Sequence, residues 1–172
     1  MSSDKVRRFS AVLGSVFFLL IAPGTVACLI PWWISSWRIR PPLLHFAFFR
    51  WIGVLLIVAG VPVLLDSFVR FALKGLGTPA PVFPTRHLVV SGWYRYVRNP
   101  MYLAVVAVIV GQGLLFGSVN VLAYALIPWL AAHLFVVFYE EPTLRRTFGA
   151  EYEIFCTNVP RWIPRLSAWQ GT

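Results

Sequence analysis

Four long apolar stretches, separated by short clusters of charge, organise this sequence. They cover about residues 9–34, 46–73, 100–117 and 120–140. A helix needs about 20 apolar residues to cross the hydrocarbon core of a bilayer, so each stretch predicts a transmembrane helix. Pro23-Gly24 predicts a kink in the first, and Gly60 and Pro62 lie inside the second. The turn Gly117-Ser118-Val119-Asn120 is short and uncharged, which predicts a tight antiparallel hairpin of the third and fourth. The connection 75–99 is rich in proline and aromatic residues and poor in charge, so it predicts an ordered segment packed over the bundle. After Tyr139 the pattern changes. Leu144, Phe148, Tyr152 and Phe155 recur at helical spacing, a single apolar stripe that predicts an amphipathic helix at the interface. Val159-Pro160 and Ile163-Pro164 end it. The expectation is an all-α integral membrane protein: one domain over 1–172, about four transmembrane helices, and a C-terminal interfacial segment over 141–166.

Composition agrees with the pattern and excludes a soluble domain. Hydrophobic residues make up 59% of the chain and charged residues 12%, against roughly 25% in soluble proteins. The net charge of +9 would suit nucleic acid if it formed a patch. Instead, the basic residues gather at the ends of apolar runs, where membrane lipids are the expected partners and nucleic acid is not. Of the 15 Lys and Arg residues, all but Arg38, Arg40 and Arg50 fall on the side of the two termini, which predicts cytoplasmic termini. The first apolar run is too long for the core of a signal peptide and reads as a retained helix. Cys28 and Cys156 show neither metal-ligand nor redox-pair spacing, and no metal is expected.

Candidate chemistry is confined to a few positions. Among only six acidic residues, Asp66 has Arg70 one helical turn away. Glu140 and Glu141 end the fourth run; neighbours on a helix point about 100° apart, so one can face a cavity while the other meets Arg95 or Arg98. The stretch RYVRNPMYL (residues 95–103) places Asn99 as a helix cap and Pro100 as the first helical residue. Such a start aims backbone N–H groups and a positive dipole at the loop, a setting for carboxylate or phosphate, with Tyr94, Tyr96 and Tyr102 nearby. Taken alone, each cluster reads equally well as a helix anchor: snorkelling arginines, or a hydrated helix end. The hairpin brings Asn99 and Glu140 to the same side of the membrane.

TRHLVVSGWYRYVRNPMY (85–102) followed by YEEPTLRRTFGAEYEIFCTNVPRWIP (139–164) resembles the isoprenylcysteine carboxyl methyltransferase family. The likeness is to its short bacterial members, which share features with phospholipid methyltransferases. The resemblance implies S-adenosylmethionine as cofactor, a lipophilic or lipid-linked acceptor at the cytoplasmic face, and a bacterial inner membrane. It favours carboxyl O-methylation, with phospholipid N-methylation as the other option. Carried over by position, cofactor contacts fall on Arg86, His87, Leu88, Val89, Tyr94, Arg98, Asn99, Pro100, Met101, Tyr102 and Glu140. His87, Glu141 and Tyr102 are the candidates for a proton-transfer role. Two positions depart from the family pattern: Asn99 replaces a histidine, and Val136 replaces an arginine associated with a prenylcysteine carboxylate. Gly111-Gln112-Gly113 reads as a helix-packing site, and His133 as a hydrogen-bonding residue of the bundle. The rival readings are an NADPH-dependent sterol-type reductase module and a small membrane transporter or scaffold.

Overall fold

The structure, a computed structural model, describes residues 3–73 and 88–171. The described residues are mostly helical, with no strand among them. Helix α1 (Ser3–Gly24) passes through a wide five-residue turn, Thr25–Leu29, into α2 (Ile30–Ser35). A connector leads to α3 (Phe48–Leu73). Helix α4 (Pro100–Phe116) and α5 (Val119–Phe135) form the expected hairpin across Gly117-Ser118. Three helical stretches are long and apolar enough to cross a membrane: Val16–Ser35, Phe48–Arg70 and Val119–Phe148. The third predicted span, Pro100–Phe116 in the structure, is apolar but shorter.

The chain does not separate its last apolar run from the polar segment after it. Helix α5 continues through a second wide turn, Val136–Glu140, into α6 (Glu141–Phe148), and the break comes at Gly149. Helix α7 (Ala150–Asn158) then follows. Gly149 has φ +51°, a conformation that favours glycine, and the break between α6 and α7 sits there.

The two wide turns share a cause. Each is followed, after one intervening residue, by a proline: Pro31 after Thr25–Leu29 and Pro142 after Val136–Glu140. A proline ring clashes with the carbonyl four residues back and brings no N–H to it. Widening the turn relieves that clash, and the Ile30 and Glu141 N–H groups reach back to Thr25 and Val136. The irregularity expected at Pro23-Gly24 therefore lies just beyond it. The freed carbonyls are taken up by other helices: the Tyr124 hydroxyl donates to Val26 (3.0 Å) and Gln112 Nε2 to Ala27 (2.6 Å). In hydrocarbon these bonds replace water that is absent.

Small residues set the closest helix pair. A Cβ on Gly53 would lie 2.6 Å from the Gly111 carbonyl oxygen, and one on Gly60 3.1 Å from the Ala104 oxygen. Two contacts spaced two helical turns apart along α3 and α4 hold their backbones together. Gly111 is thus a packing residue. Ala27, Val108, Ile109, Val121 and Ala125 form the core at one end, and Leu64, Phe68, Met101 and Ala104 the core at the other.

The stripe of Leu144, Phe148, Tyr152 and Phe155 is present but faces the protein's own chain. With Val159 it packs against Leu88, Val90 and Trp169. Residues 88–99, the described part of the long connection, are packed as expected, with Val89, Tyr94 and Val97 buried.

Candidate functional site

The end of the hairpin carries two carboxylates with different surroundings. Glu140 closes the wide turn and Glu141 opens α6, so the chain rotates them onto different neighbours. Glu140 receives a hydrogen bond from the Tyr102 hydroxyl (3.1 Å), and among the described residues no basic side chain pairs with it. Glu141 is almost wholly buried and is surrounded by arginines. Arg98 reaches it at 2.9 Å, Arg161 grips both its oxygens at 2.6 and 3.0 Å, and Arg145 approaches to 3.5 Å. Of the expected division, the structure shows the pair on different neighbours, with Glu141 turned to Arg98 and Glu140 to the Tyr102 hydroxyl.

Arg161 is the partner that sequence reading missed. It lies between Pro160 and Pro164, in a segment that folds back along residues 95–99. The N–H of Arg98 donates to the Pro160 carbonyl, that of Arg165 to Tyr96, and that of Trp169 to Arg95. Arg95 Nε also donates to the Trp169 carbonyl at 2.6 Å. Trp162 Nε1 donates to His133 Nδ1 (3.1 Å), so His133 bonds to this tail rather than to another membrane helix. The only advance signal was an arginine set among prolines and tryptophan, where a charge needs a counterpart.

This tail also changes the part played by Asn99. No side chain caps the start of α4. The Asn99 amide donates instead to the Arg161 carbonyl (3.2 Å), because the tail offers an acceptor where the helix would have offered a donor. Helix α4 still begins with Pro100 in the first turn, and its N–H groups still point to this side. Arg95 serves the tail in the same way through its side chain, and Arg98 through its backbone N–H. Arg98 Nη1 bonds Glu141 and Cys156 Sγ (3.0 Å).

Of the residues expected around a cofactor, Tyr94, Met101, Tyr102 and Glu140 gather at one place. Tyr94 is buried beside Ser67 of α3; burial, with the charge of Glu140 behind it, pushes its phenol above the ordinary value. Met101 is buried against Leu64 and Phe68. Pro100 and Val89 are buried close by in sequence, whereas Leu88 turns to the cluster around Tyr152 and Phe155. Arg86 and His87 lie outside the described residues. Asp66 pairs with Arg70 at 2.7 Å as its spacing suggested. Val136 is buried.

Tyr102 has a second neighbour. It stands on the wall of an apolar cavity of ≈ 320 Å³ between α1, α4 and α5, lined among others by Phe18, Val26, Met101, Ala132 and Phe135. One phenol thus touches both a carboxylate without a basic partner among the described residues and a pocket suited to a hydrocarbon chain.

The family model of phospholipid methyltransferases matches residues 48–151, from α3 into α7. The chain belongs to the phospholipid methyltransferase family. As a member of that family with several membrane-capable helices, it is a membrane methyltransferase. The matched stretch contains Tyr94, Asn99, Tyr102, Glu140 and Glu141, and leaves out α1 and the Arg161 tail. No curated protein and no solved structure matches the chain. For this phospholipid methyltransferase family member, the finer assignment to isoprenylcysteine enzymes rests on the sequence resemblance alone.

Proposed function

We propose that this protein transfers a methyl group from S-adenosylmethionine to a lipid acceptor, at the end of the bundle where α4 begins and α5 ends. The observation that carries the reading is Glu140: a partly buried carboxylate without a basic partner among the described residues, bonded to Tyr102, which itself lines an apolar cavity. A carboxylate so placed suits a cationic ligand, since pairing offsets the cost of holding charge at this depth. The residues fit the cofactor in type. Glu140 would meet its positive or hydroxyl groups, the N–H groups that open α4 its carboxylate, and Tyr94, Met101 and Tyr102 its flat and apolar parts. Bound there, S-adenosylmethionine supplies an electrophilic methyl group on a sulfonium.

The protein's own share is alignment and exclusion of water. The cavity between α1, α4 and α5 would hold the acceptor's tail, so that its head reaches the Tyr102–Glu140 rim. Two points favour a phospholipid over a prenylcysteine carboxylate: the family description, and the buried Val136 where the resemblance expects arginine. An amine acceptor must lose a proton, and Glu140 would receive it, directly or through the Tyr102 hydroxyl that donates to it. Glu141, with both oxygens held by arginine, serves as a tether and not as a base. The charge distribution supports a cytoplasmic site with both termini on that face.

Calorimetric titration of the detergent-solubilised protein with S-adenosylhomocysteine tests the reading. Binding heat is expected for the native chain, a loss of about tenfold or more in affinity for Glu140→Gln, and no change for the exposed Glu153→Gln. Absence of heat, or equal behaviour of the two variants, refutes it. Radiolabelled methyl transfer to amine-headgroup phospholipid, set against a prenylcysteine carboxylate, then decides the acceptor.

A further inference from the structure

We propose that the connector between α2 and α3, together with Arg50, binds the phosphate of an anionic phospholipid in the leaflet opposite the methyl-transfer site. The proposal stands independently of the methyltransferase reading.

The backbone is the first indication. Ser36, Trp37, Leu44 and His45 have φ of +49°, +48°, +52° and +62°, and they are all the non-glycine residues with positive φ among those described. For an L-residue this conformation is unfavourable, and it persists only where the surroundings hold it. Here they do. Trp37 Nε1 donates to Gln112 Oε1 (3.0 Å) and its ring stacks on Phe116. The Arg40 N–H donates to the Phe116 carbonyl (3.0 Å), and Gly117 leaves room for the Pro41 carbonyl that a Cβ would strike. A short connector fixed in this way presents its side chains in a set arrangement.

Those side chains are cationic and unanswered. Arg38 and Arg40 are exposed. Arg50 Nη2 donates to the Arg40 carbonyl (2.6 Å), while Arg50 Nε is buried without a hydrogen-bond partner. The end of the bundle that carries the connector has no carboxylate to pair with these guanidinium groups. All six acidic residues belong to the start of α1, the far end of α3 or the segment from Glu140 onward. A phosphate is the acceptor that planar guanidinium groups match best. Exposed Trp32, Trp33 and Trp51 flank the connector, and such rings mark headgroup depth. Exposed Phe46 and Phe48 offer apolar surface for the tails of a lipid held there. The phosphate is therefore assigned to a lipid rather than to solution.

Native mass spectrometry of the delipidated, detergent-solubilised protein with added phosphatidylglycerol or phosphatidylcholine tests the assignment. One retained phosphatidylglycerol is expected, with phosphatidylcholine held about tenfold less well, since its headgroup carries no net negative charge. Arg50→Gln and Arg50→Lys should each weaken retention about tenfold, the lysine variant because it keeps the charge and loses the planar guanidinium that matches a phosphate. Arg146→Gln removes the same charge from the other end of the molecule and should leave retention unchanged. If the Arg50 variants do not elute as a single folded species, Arg40→Gln, whose side chain is exposed, replaces them with the same expectation. Equal retention of the two lipids, unaltered retention in the connector variants, or an equal loss with Arg146→Gln overturns the proposal. Displacement of the lipid by inorganic phosphate at comparable concentration overturns its assignment to a lipid.

Discussion

Replacing Glu141 by glutamine leaves its size and removes its charge, which puts the whole cost on the arginines around it. The costs differ by burial. The side chain of Glu141 is 3% exposed and that of Arg98 11%, whereas Arg161 and Arg145 are 34% and 44% exposed. Leaving one member of a buried pair unpaired costs about 3–5 kcal/mol, and an exposed pair is worth about 0–1 kcal/mol. Glu141→Gln should therefore cost about 3 kcal/mol, mostly through Arg98, since one amide oxygen still accepts a bond. Arg145→Gln should cost less than about 1 kcal/mol. The loss falls on the tail that Arg98 and Arg161 hold, so it is read from the amides that stitch this tail: Arg165 to Tyr96, Trp169 to Arg95 and Arg98 to Pro160. About 3 kcal/mol corresponds to hydrogen exchange on the order of 100-fold faster at those amides. Amides in the middle of α3 and α4 should change little. Unaltered exchange in Glu141→Gln, or an equal effect of Arg145→Gln, would refute the reasoning.

Three further outcomes follow from the geometry. Gly53→Ala places a methyl group 2.6 Å from the Gly111 carbonyl, so it should destabilise the α3–α4 pair by about 1–3 kcal/mol, seen as a lower apparent melting temperature in detergent. Gln112→Leu withdraws the donor that reaches Ala27 and the acceptor of Trp37, and should cost about 1–3 kcal/mol, with a shift in tryptophan emission; an unchanged melting curve would contradict that account. Ala132→Phe should fill the cavity beside Tyr102 and raise KM for the acceptor, while S-adenosylhomocysteine still binds with its native heat; parallel loss of both would mean that the cavity is not a separate acceptor site.

The membrane helices were legible because charge is scarce and apolar runs are long, so burial in lipid leaves little choice of structure. The Asp66–Arg70 pair and the different fates of Glu140 and Glu141 were legible for a related reason. A carboxylate near hydrocarbon needs a partner, and helical spacing limits the partners. Arg161 was not legible, because the tail that delivers it folds back through turns whose geometry no periodicity records. The same tail took Asn99 away from the capping role that Asn-Pro suggests. The wide turns at Thr25–Leu29 and Val136–Glu140 were also hidden, although the proline after each was in view. Arg86 and His87, two of the residues expected at the cofactor, lie outside the described residues, and their part rests on resemblance.

Helix α4 has one property whose effect is on depth. Its 17 residues rise about 26 Å at 1.5 Å per residue, less than the roughly 30 Å of a hydrocarbon layer, whereas the 26 residues of α3 exceed it. With the Gly117 end of α4 tied to Pro41 and Arg40, the shortfall falls at Asn99. In a bilayer of that thickness Tyr102 and Glu140 would lie below the plane of the headgroups, at the level of a lipid's glycerol region. An acceptor would arrive by sideways diffusion alone, with no part of its tail drawn out into water.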